Sequence, residues 1–600
     1  MQAEAAGVSP PGAAERVLEK QERLIGWEIA DRIAGLTLKL AIGAAALALA
    51  AAIGLAAWSA SQASGTVIEP FDSAPALVAQ GLGGEAIANE LVSRVTAMQY
   101  DAGNDRPRRE SSSGADRINV VIPQTGISIG EAQRLLREWL GHETHVSGGL
   151  RPTPDGKLAL SLRVDGRSVP VTPPPADQLG SADAWIGAGA QAALRETDPY
   201  RYATWLINNS QADEAAGLYR RLSRTGSAAD RAWAWIGLGN VFRGRGDLAG
   251  ALDADRWAVT LAPDSDSVLV NVASTQRYLG HDELARADML AALRVPGHRS
   301  WRPIRVAARA MQAASWRDDW LTAASQFESV LAAVPPGATQ GYPPGLVIVY
   351  GRALARLHEP QRAMRFTPDI PPLSGSLQFE MRATQLAEAG HWPELEALAA
   401  QPFRLPASVA GIAPQLDRTL RQPWLAYAMA HNGKTAEARQ ILSATPLDCY
   451  LCLRTRGEVA ALAGDAGEAD RWFAEAVRQG PSLADADQEW AQARLARGDL
   501  GGALALARQA SRKAPAWADP LKLEGDVLAR QGDLEGAVRV YNAAEPKAPG
   551  WGGLRLAHGE ALARLRLRPA ALAQWRDAAR RELAPAERSR VQALLGTPAV

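Results

Sequence analysis

Between residues 447 and 585 the small and large apolar positions return at a step of 34 residues. Gly457, Ala491, Gly525 and Gly559 form one column, and Gly464, Gly498, Gly532 and then Arg566 form the next. Ala469, Ala503, Ala537 and Ala571 make a third, Phe473, Ala507, Tyr541 and Trp575 a fourth, and Pro481, Pro515 and Pro549 a fifth. Each unit reads as helix, Gly-led turn, helix, Pro-led stop. Small residues at fixed positions let two helices approach closely, and the large residue of the fourth column fills the space between neighbouring units. One such pair cannot bury its own apolar face, so units must stack, and the chain repeats its clause for that reason. Pro546 falls inside a second helix, which predicts that this helix ends early or kinks.

The pattern recurs earlier with less regularity. Residues 235–264 carry Gly239, Gly246, Ala251, Ala258 and Pro263 in the same order, the next unit carries Gly280 and Ala285, and 202–222 read as a partial first unit. From 298 to 446 the phase is lost through breaks such as VPPGATQGYPPG and FTPDIPPLSG, and helical pairs with irregular loops are expected there, for instance around Ala323 to Phe327 and Ala436 to Ala438. Residues 586–600 read as a capping helix and tail. Period and columns together resemble the tetratricopeptide repeat family. The resemblance implies a mainly α fold, a right-handed α-solenoid of helix-turn-helix repeats over 198–297, 298–446 and 447–585, whose inner surface binds peptides or partner proteins. Two rungs of polar residues share one face of the first helices: Glu458, Gln492, Asp526 and Glu560 follow the first-column residue, and Arg454, Gln488, Lys522 and Leu556 lie three before it. Seven of these, Arg454, Glu458, Gln488, Gln492, Lys522, Asp526 and Glu560, are the candidate partner groove, and a merely solvated face is the competing reading.

One stretch breaks the amphipathic pattern. Leu40 to Trp58, LAIGAAALALAAAIGLAAW, holds no charge over 19 residues, and with Lys39 snorkelling the apolar span extends back to Leu36, which predicts a transmembrane helix over 36–58. A cleaved signal peptide is disfavoured by the length of chain before it. Arg16, Lys20, Arg23, Arg32 and Lys39 precede the span and the first basic residue after it is Arg94, so 1–35 is expected in the cytoplasm and the bulk on the exported, periplasmic side of an inner membrane.

Beyond the anchor, residues 66–197 read as a small α/β domain in the order βαβαβββα. Its elements are a strand at TVIEPF, a helix from Ala74 to Met98, a mobile loop DAGNDRPRRESSSGADR, a strand at 118–123, a helix at 128–141, a hairpin turning at Pro154-Asp155-Gly156, SVPV after an Asp165-Gly166 turn, and a helix from Ser181 to Glu196. EPFDSAPALVAQGLGGEAIANELVSRV with the Gly141 to Leu162 turn and hairpin resembles the N-terminal α/β domain of the TolB translocation protein, which implies a non-enzymatic envelope module.

Charge and chemistry narrow the function. Lys plus Arg and Asp plus Glu both number 65, so no global field favours nucleic acid. No P-loop, GxSxG elbow or GxGxxG fingerprint sits in a suitable strand-to-helix context, so neither an enzyme nor a cofactor is expected. HETH at 142–145 is not a zinc motif and reads as a structural turn, so no metal is expected. The only cysteines, Cys449 and Cys452, open a repeat helix; a disulfide between them, apolar packing and thiol-redox chemistry are the three readings. The whole predicts a single-pass membrane-anchored scaffold for protein partners. The alternatives are a sensory protein whose α/β module binds a small ligand and a thiol-redox protein using Cys449 and Cys452.

Overall fold

The computed structural model describes residues 65–103, 111–113, 143–295, 303–332, 344–367, 370–371 and 373–596, with isolated positions before them. It divides into two compact units, Met1–Tyr202 and Ala203–Val600. The expected strand at 118–123, the helix at 128–141 and all but seven residues of the expected span 36–58 lie outside the described residues. Among the described residues no helix is long and apolar enough to cross a membrane.

Among the described residues the first unit holds a mixed sheet with two long helices and a short helical turn. Strands β1 (Thr66–Ile68), β2 (Asp72–Ser73), β3 (Ser111–Ser113), β4 (Thr144–Pro152), β5 (Leu158–Val164) and β6 (Arg167–Val169) run in the spatial order β3-β1-β4-β5-β6, with β2 beside the far half of β4. β1 is parallel to β3 and β4, while β4, β5 and β6 form an antiparallel meander that pairs Val146 with Val164 and Leu150 with Leu160. Alternation along β5 buries Leu160 and Leu162 and exposes Ala159, Ser161 and Arg163. Asp165 and Gly166 have φ of 49° and 75°, the left-handed pair that closes a two-residue hairpin. Helix α1 (Gly84–Asp101) buries Ile87, Leu91 and Val95, and α2 (Ala182–Thr197) lies so close to β5 that a Cβ on Gly189 would stand 2.5 Å from Leu160.

Two expectations need correction here. The helix expected from Ala74 to Met98 is broken: a short turn of helix ends at Val78, and α1 starts at Gly84. Gly84 is pressed onto the Phe71 backbone, whose amide it accepts at 3.1 Å, and any Cβ there would lie 2.1 Å from the Phe71 carbonyl oxygen. Within the segment read as a mobile loop, Ser111–Ser113 pairs with β1, because a ladder needs backbone groups and not apolar side chains.

Among the described residues the helix Pro199–Asn208 and α3 (Ala212–Leu222) are followed by ten helix hairpins and a last helix. The first three hairpins are α4/α5 (Ala228–Gly244, Leu248–Leu261), α6/α7 (Asp266–Leu279, Asp282–Arg294) and α8/α9 (Pro303–Ser315, Trp320–Ala332). Next come α10/α11 (Pro344–Arg356, Pro360–Phe366), α12/α13 (Ser376–Glu388, Trp392–Ala399) and α14/α15 (Gln422–His431, Thr435–Ser443). The regular run comprises α16/α17 (Tyr450–Leu462, Ala466–Gln479), α18/α19 (Asp485–Ala496, Leu500–Lys513), α20/α21 (Ala518–Gln531, Leu534–Ala544) and α22/α23 (Gly552–Arg564, Arg568–Ala578), closed by α24 (Pro585–Gly596).

The GD dipeptide makes the turn inside a hairpin. Gly246, Gly464, Gly498 and Gly532 take φ between 80° and 90°, and the Asp that follows each caps the second helix by accepting from the amide of Gly250, Glu468, Gly502 or Gly536 at 2.8–3.1 Å. Arg566 occupies the same column with φ 64°, a conformation that disfavours its side chain. At Pro546 the helix α21 ends two residues earlier and continues as the 3₁₀ turn Glu545–Lys547.

The chain also packs against itself far along the sequence. Trp320, Phe327, Tyr350 and Leu354 of the middle hairpins share one core with Ala484, Ala514, Trp517 and Ala548, which lie at the loops joining the regular hairpins. His358 stacks on Trp551 at 3.6 Å, and the amides of Gln361 and Arg362 donate to the Glu582 carboxylate at 2.8 and 2.9 Å. At a second seam the Tyr450 amide donates to Gly280 carbonyl at 2.9 Å and the Thr419 hydroxyl to Tyr278 carbonyl at 3.0 Å. The solenoid therefore coils until its own turns touch, and its concave side becomes an interior.

Candidate functional site: a charged axial chamber

The first helices of the hairpins line that interior. One cavity of about 360 Å³ has walls from α6, α8, α10, α12 and α16, including Arg277, Trp316, Arg352, Glu380 and Arg454. A second of about 220 Å³ is walled by α18, α20 and the ends of α10 and α12, including Glu388, Gln488, Glu489, Trp517 and Lys522. Arg356 and Asp485 belong to both walls and mark where the two meet. The charged side chains keep between 12% and 30% exposure although protein surrounds them, as expected of groups lining a narrow water-accessible channel.

An ion-pair lattice organises the walls. Arg454 bonds Asp485 at 3.0 Å and Glu489 at 3.1 Å, and Arg356 bonds the same Asp485 at 3.0 Å and faces Glu388 at 3.8 Å. Arg277 pairs with Glu380, and Arg286 with Asp318 at 2.9 Å. His358 meets both oxygens of Asp519 at 3.0 Å, and Lys522 pairs with Asp526 at 2.7 Å while lying over Trp551.

Protonation follows from how well each group is paired. Burial would raise the Asp485 carboxyl, but Arg454, Arg356 and Arg352 outweigh it and hold it well below the usual range. Glu489 is pushed up to about 8 by burial, against the pull of Arg454 and with Glu458 and Asp485 adding repulsion. Burial likewise lifts Glu458 to about 7, opposed by Arg454, and raises Glu388. Burial would lower His358, yet the Asp519 charge and hydrogen bond raise it. His431, stacked on Trp392, is lowered by burial to about 4.

The structure places the seven candidate groove residues unevenly. Arg454, Gln488, Gln492, Lys522 and Asp526 line the chamber. Glu458 stands just behind it, 3.6 Å from His431. Glu560 bonds Arg590 of α24 at 2.8 Å instead. What the ladder missed is one turn away in the same columns: Asp485 and Asp519 share a column, as do Leu483, Trp517 and Trp551. The contributions of Arg356, His358 and Glu388 left no periodic trace, because they enter from the middle hairpins across the seam.

Cys449 and Cys452 are joined by a disulfide at the second seam. Both are fully buried, Cys449 Sγ accepts from the Cys452 amide at 3.2 Å, and Gly280 packs so tightly that a Cβ on it would meet Cys449 Cβ at 2.7 Å. Thiol exchange needs an attacking thiolate to reach a sulfur, and neither sulfur is accessible.

No protein-family model matches the chain, and no curated protein matches it. Among solved structures it is similar to the Cut9–Hcn1 hetero-tetramer of the APC/C, at 11% identity over 68% of this chain and 86% of that chain with a TM-score of 0.36. Yeast Tom70 matches at 13% identity over 68% and 94% with a TM-score of 0.29. YrrB, described as a TPR protein with an unusual peptide-binding site, matches at 16% identity over 29% and 92% with a TM-score of 0.24. Scores this low say nothing of what this chain binds.

Proposed function

We propose that the chain is a scaffold that takes a segment of a protein partner into the chamber of its second unit, and that residues 36–58 anchor it in a membrane with the chain that follows them on the exported side. The observation that carries the reading is the convergence of the first-helix polar rungs on one water-accessible chamber, whose charged side chains are held in place by ion pairs. Such a wall offers a segment both signs of charge and costs little reorganisation on binding. Anchoring draws support from Leu47 and Leu55, which are helical and 75% and 70% exposed, and from the absence of Lys or Arg between Lys39 and Arg94. The disulfide fits an oxidising compartment, and its burial favours a structural over a redox role.

A photo-crosslinking residue at Gln492, inside the chamber, should give adducts with another polypeptide in cells, and one at Arg471, 67% exposed on the outer face, should not. Equal adducts at both positions would remove the chamber from the reading. Protease added to intact spheroplasts should degrade the bulk of the chain; full protection would reverse the proposed orientation.

A further inference from the structure

The two ends of the chamber differ in charge balance. The smaller cavity is lined by five carboxyl groups, Glu388, Asp485, Glu489, Asp519 and Asp526, against three basic groups, Arg356, His358 and Lys522. The surplus is localised. Asp485, Asp519 and Asp526 are each held by close partners, whereas among the described residues Glu388 faces Arg356 at 3.8 Å and His358 at 3.6 Å, longer than a hydrogen bond. Arg454 is shared between Glu489 and Asp485. Carboxyl groups are thus left under-paired on the Glu388–Glu489 side, where removal from bulk water makes their charged form costly unless a cation joins them.

Independent features of the same wall call for a donor. Gln488, 4% exposed, belongs to the cavity lining, and its buried amide oxygen has no hydrogen-bond partner among the described residues. The aromatic walls already hold this chain's own cations, with Arg356 over Trp517 at 5.3 Å and Lys522 over Trp551 at 5.6 Å, so the lining suits cationic groups by quadrupole as well as by charge. Among the described residues no three carboxyl or imidazole groups converge as a metal ion needs, so the spread-out charge fits an elongated organic cation better than a point ion.

We infer that the Glu388–Glu489 side of the chamber binds an organic ammonium or guanidinium group, carried either by a free amine or by a lysine or arginine side chain of a bound peptide. The peptide form rests on the scaffold reading; the free-amine form does not. A cation there neutralises Glu388 and Glu489 and donates to Gln488, and the site is about 220 Å³, room for a side-chain-sized group and not for a folded partner.

The test is calorimetric titration of the full chain with three probes at matched ionic strength: cadaverine, a lysine-containing tripeptide amide, and the same tripeptide with the lysine acetylated. The expected result is saturable binding of cadaverine or of the lysine peptide, with the acetylated peptide silent. Glu388→Gln with Glu489→Gln, which keep shape and hydrogen-bonding capacity, should weaken it by about tenfold or more, while Glu560→Gln, outside the chamber, should not. Gln492→Lys provides a check that does not depend on weakened variants: a tethered ammonium should abolish cadaverine binding and raise the melting temperature. Cadaverine alone binding identifies a free amine, and the lysine peptide alone binding identifies a side chain. Binding by none of the probes, equal binding of the acetylated peptide, or unchanged binding in the double variant would overturn the inference. Adducts at Gln492 are read separately, so the scaffold can fail while cadaverine still binds, and the converse.

Discussion

The regular run α16–α23 and the middle hairpins α8–α11 are built from the same helix pair yet are held in different ways. In the regular run each hairpin is closed by a small residue against a large one sixteen positions on: Gly457 under Phe473, Gly525 under Tyr541, Gly559 under Trp575, each with room for no Cβ. Where the first position is Ala491 its partner is Ala507, both fully buried, so the added methyl on the first helix goes with a small side chain on the second. Stability there is a sum of neighbour terms. The middle hairpins instead spend their apolar surface on the regular run itself, through the core shared by Trp320, Phe327 and Tyr350 with Ala514 and Trp517. Periodic packing builds the solenoid, and the aperiodic part closes it and makes the chamber.

The sharpest break in that arrangement is at Arg454, which belongs to a regular hairpin but holds the chamber together. Arg454→Ala leaves Asp485 and Glu489 without their shared partner, and a cost of about 3 to 5 kcal/mol in chemical denaturation is expected. A loss below about 1 kcal/mol, the scale of an exposed pair, would show that water already screens the chamber.

A smaller effect tests the packing rule of the regular run. Gly525→Ala places a Cβ 2.4 Å from the Tyr541 ring and should cost about 1 to 3 kcal/mol. Combining it with Tyr541→Ala, the pair that Ala491 and Ala507 make naturally, should cost less than the two changes added. Strict additivity in a double-mutant cycle would mean that the columns do not pack as pairs.

The disulfide tests the seam. Its loop is short, so chain entropy alone assigns it about 2 kcal/mol. Because Cys449 meets Gly280 and the Tyr450 amide bonds across the same contact, reduction should loosen α6 from α16 before the regular run melts, seen as faster amide exchange at Tyr450 than at Val527. Uniform acceleration at both would place the disulfide's effect in the whole unit and not at the seam.

What the sequence makes legible divides along the same line. The 34-residue columns reveal the regular hairpins, their turns and five of the chamber's polar residues, since each feature is dictated by neighbours in the chain. The middle hairpins lose that step because their connecting loops differ in length, as the spacing of Met311, Gly351, Ala383 and Ala426 shows. They keep the shorter signal inside the hairpin: Met311 with Phe327, Gly351 with Thr367, Ala383 with Ala399 and Ala426 with Leu442, all buried. A search for the sixteen-residue pair would have found them. The closure itself has no local signature, because His358 reaching Asp519 or Glu582 capping Gln361 joins residues 161 and 221 positions apart.

The smallest expected effect is a change of slope with pH, and it sets the two regions against each other. Glu489, in the regular run, ordinarily titrates near 4.5 and in the fold near 8. Between those values the folded chain keeps a proton the unfolded chain has released, so stability falls as pH rises from about 4.5 to about 8. His431, on the irregular side, moves the other way, from 6.5 to about 4, so the unfolded chain takes up a proton that the folded one refuses and stability falls as pH drops through that window. Melting temperature against pH should therefore show two limbs. Glu489→Gln should flatten the alkaline limb and His431→Gln the acid limb, each by no more than about 1.4 kcal/mol per pH unit, the ceiling for one proton. If Glu489→Gln left the alkaline limb unchanged, the chamber would be solvating that carboxylate as well as bulk water does, and the cost of its charged form, which a cation would relieve, would be absent.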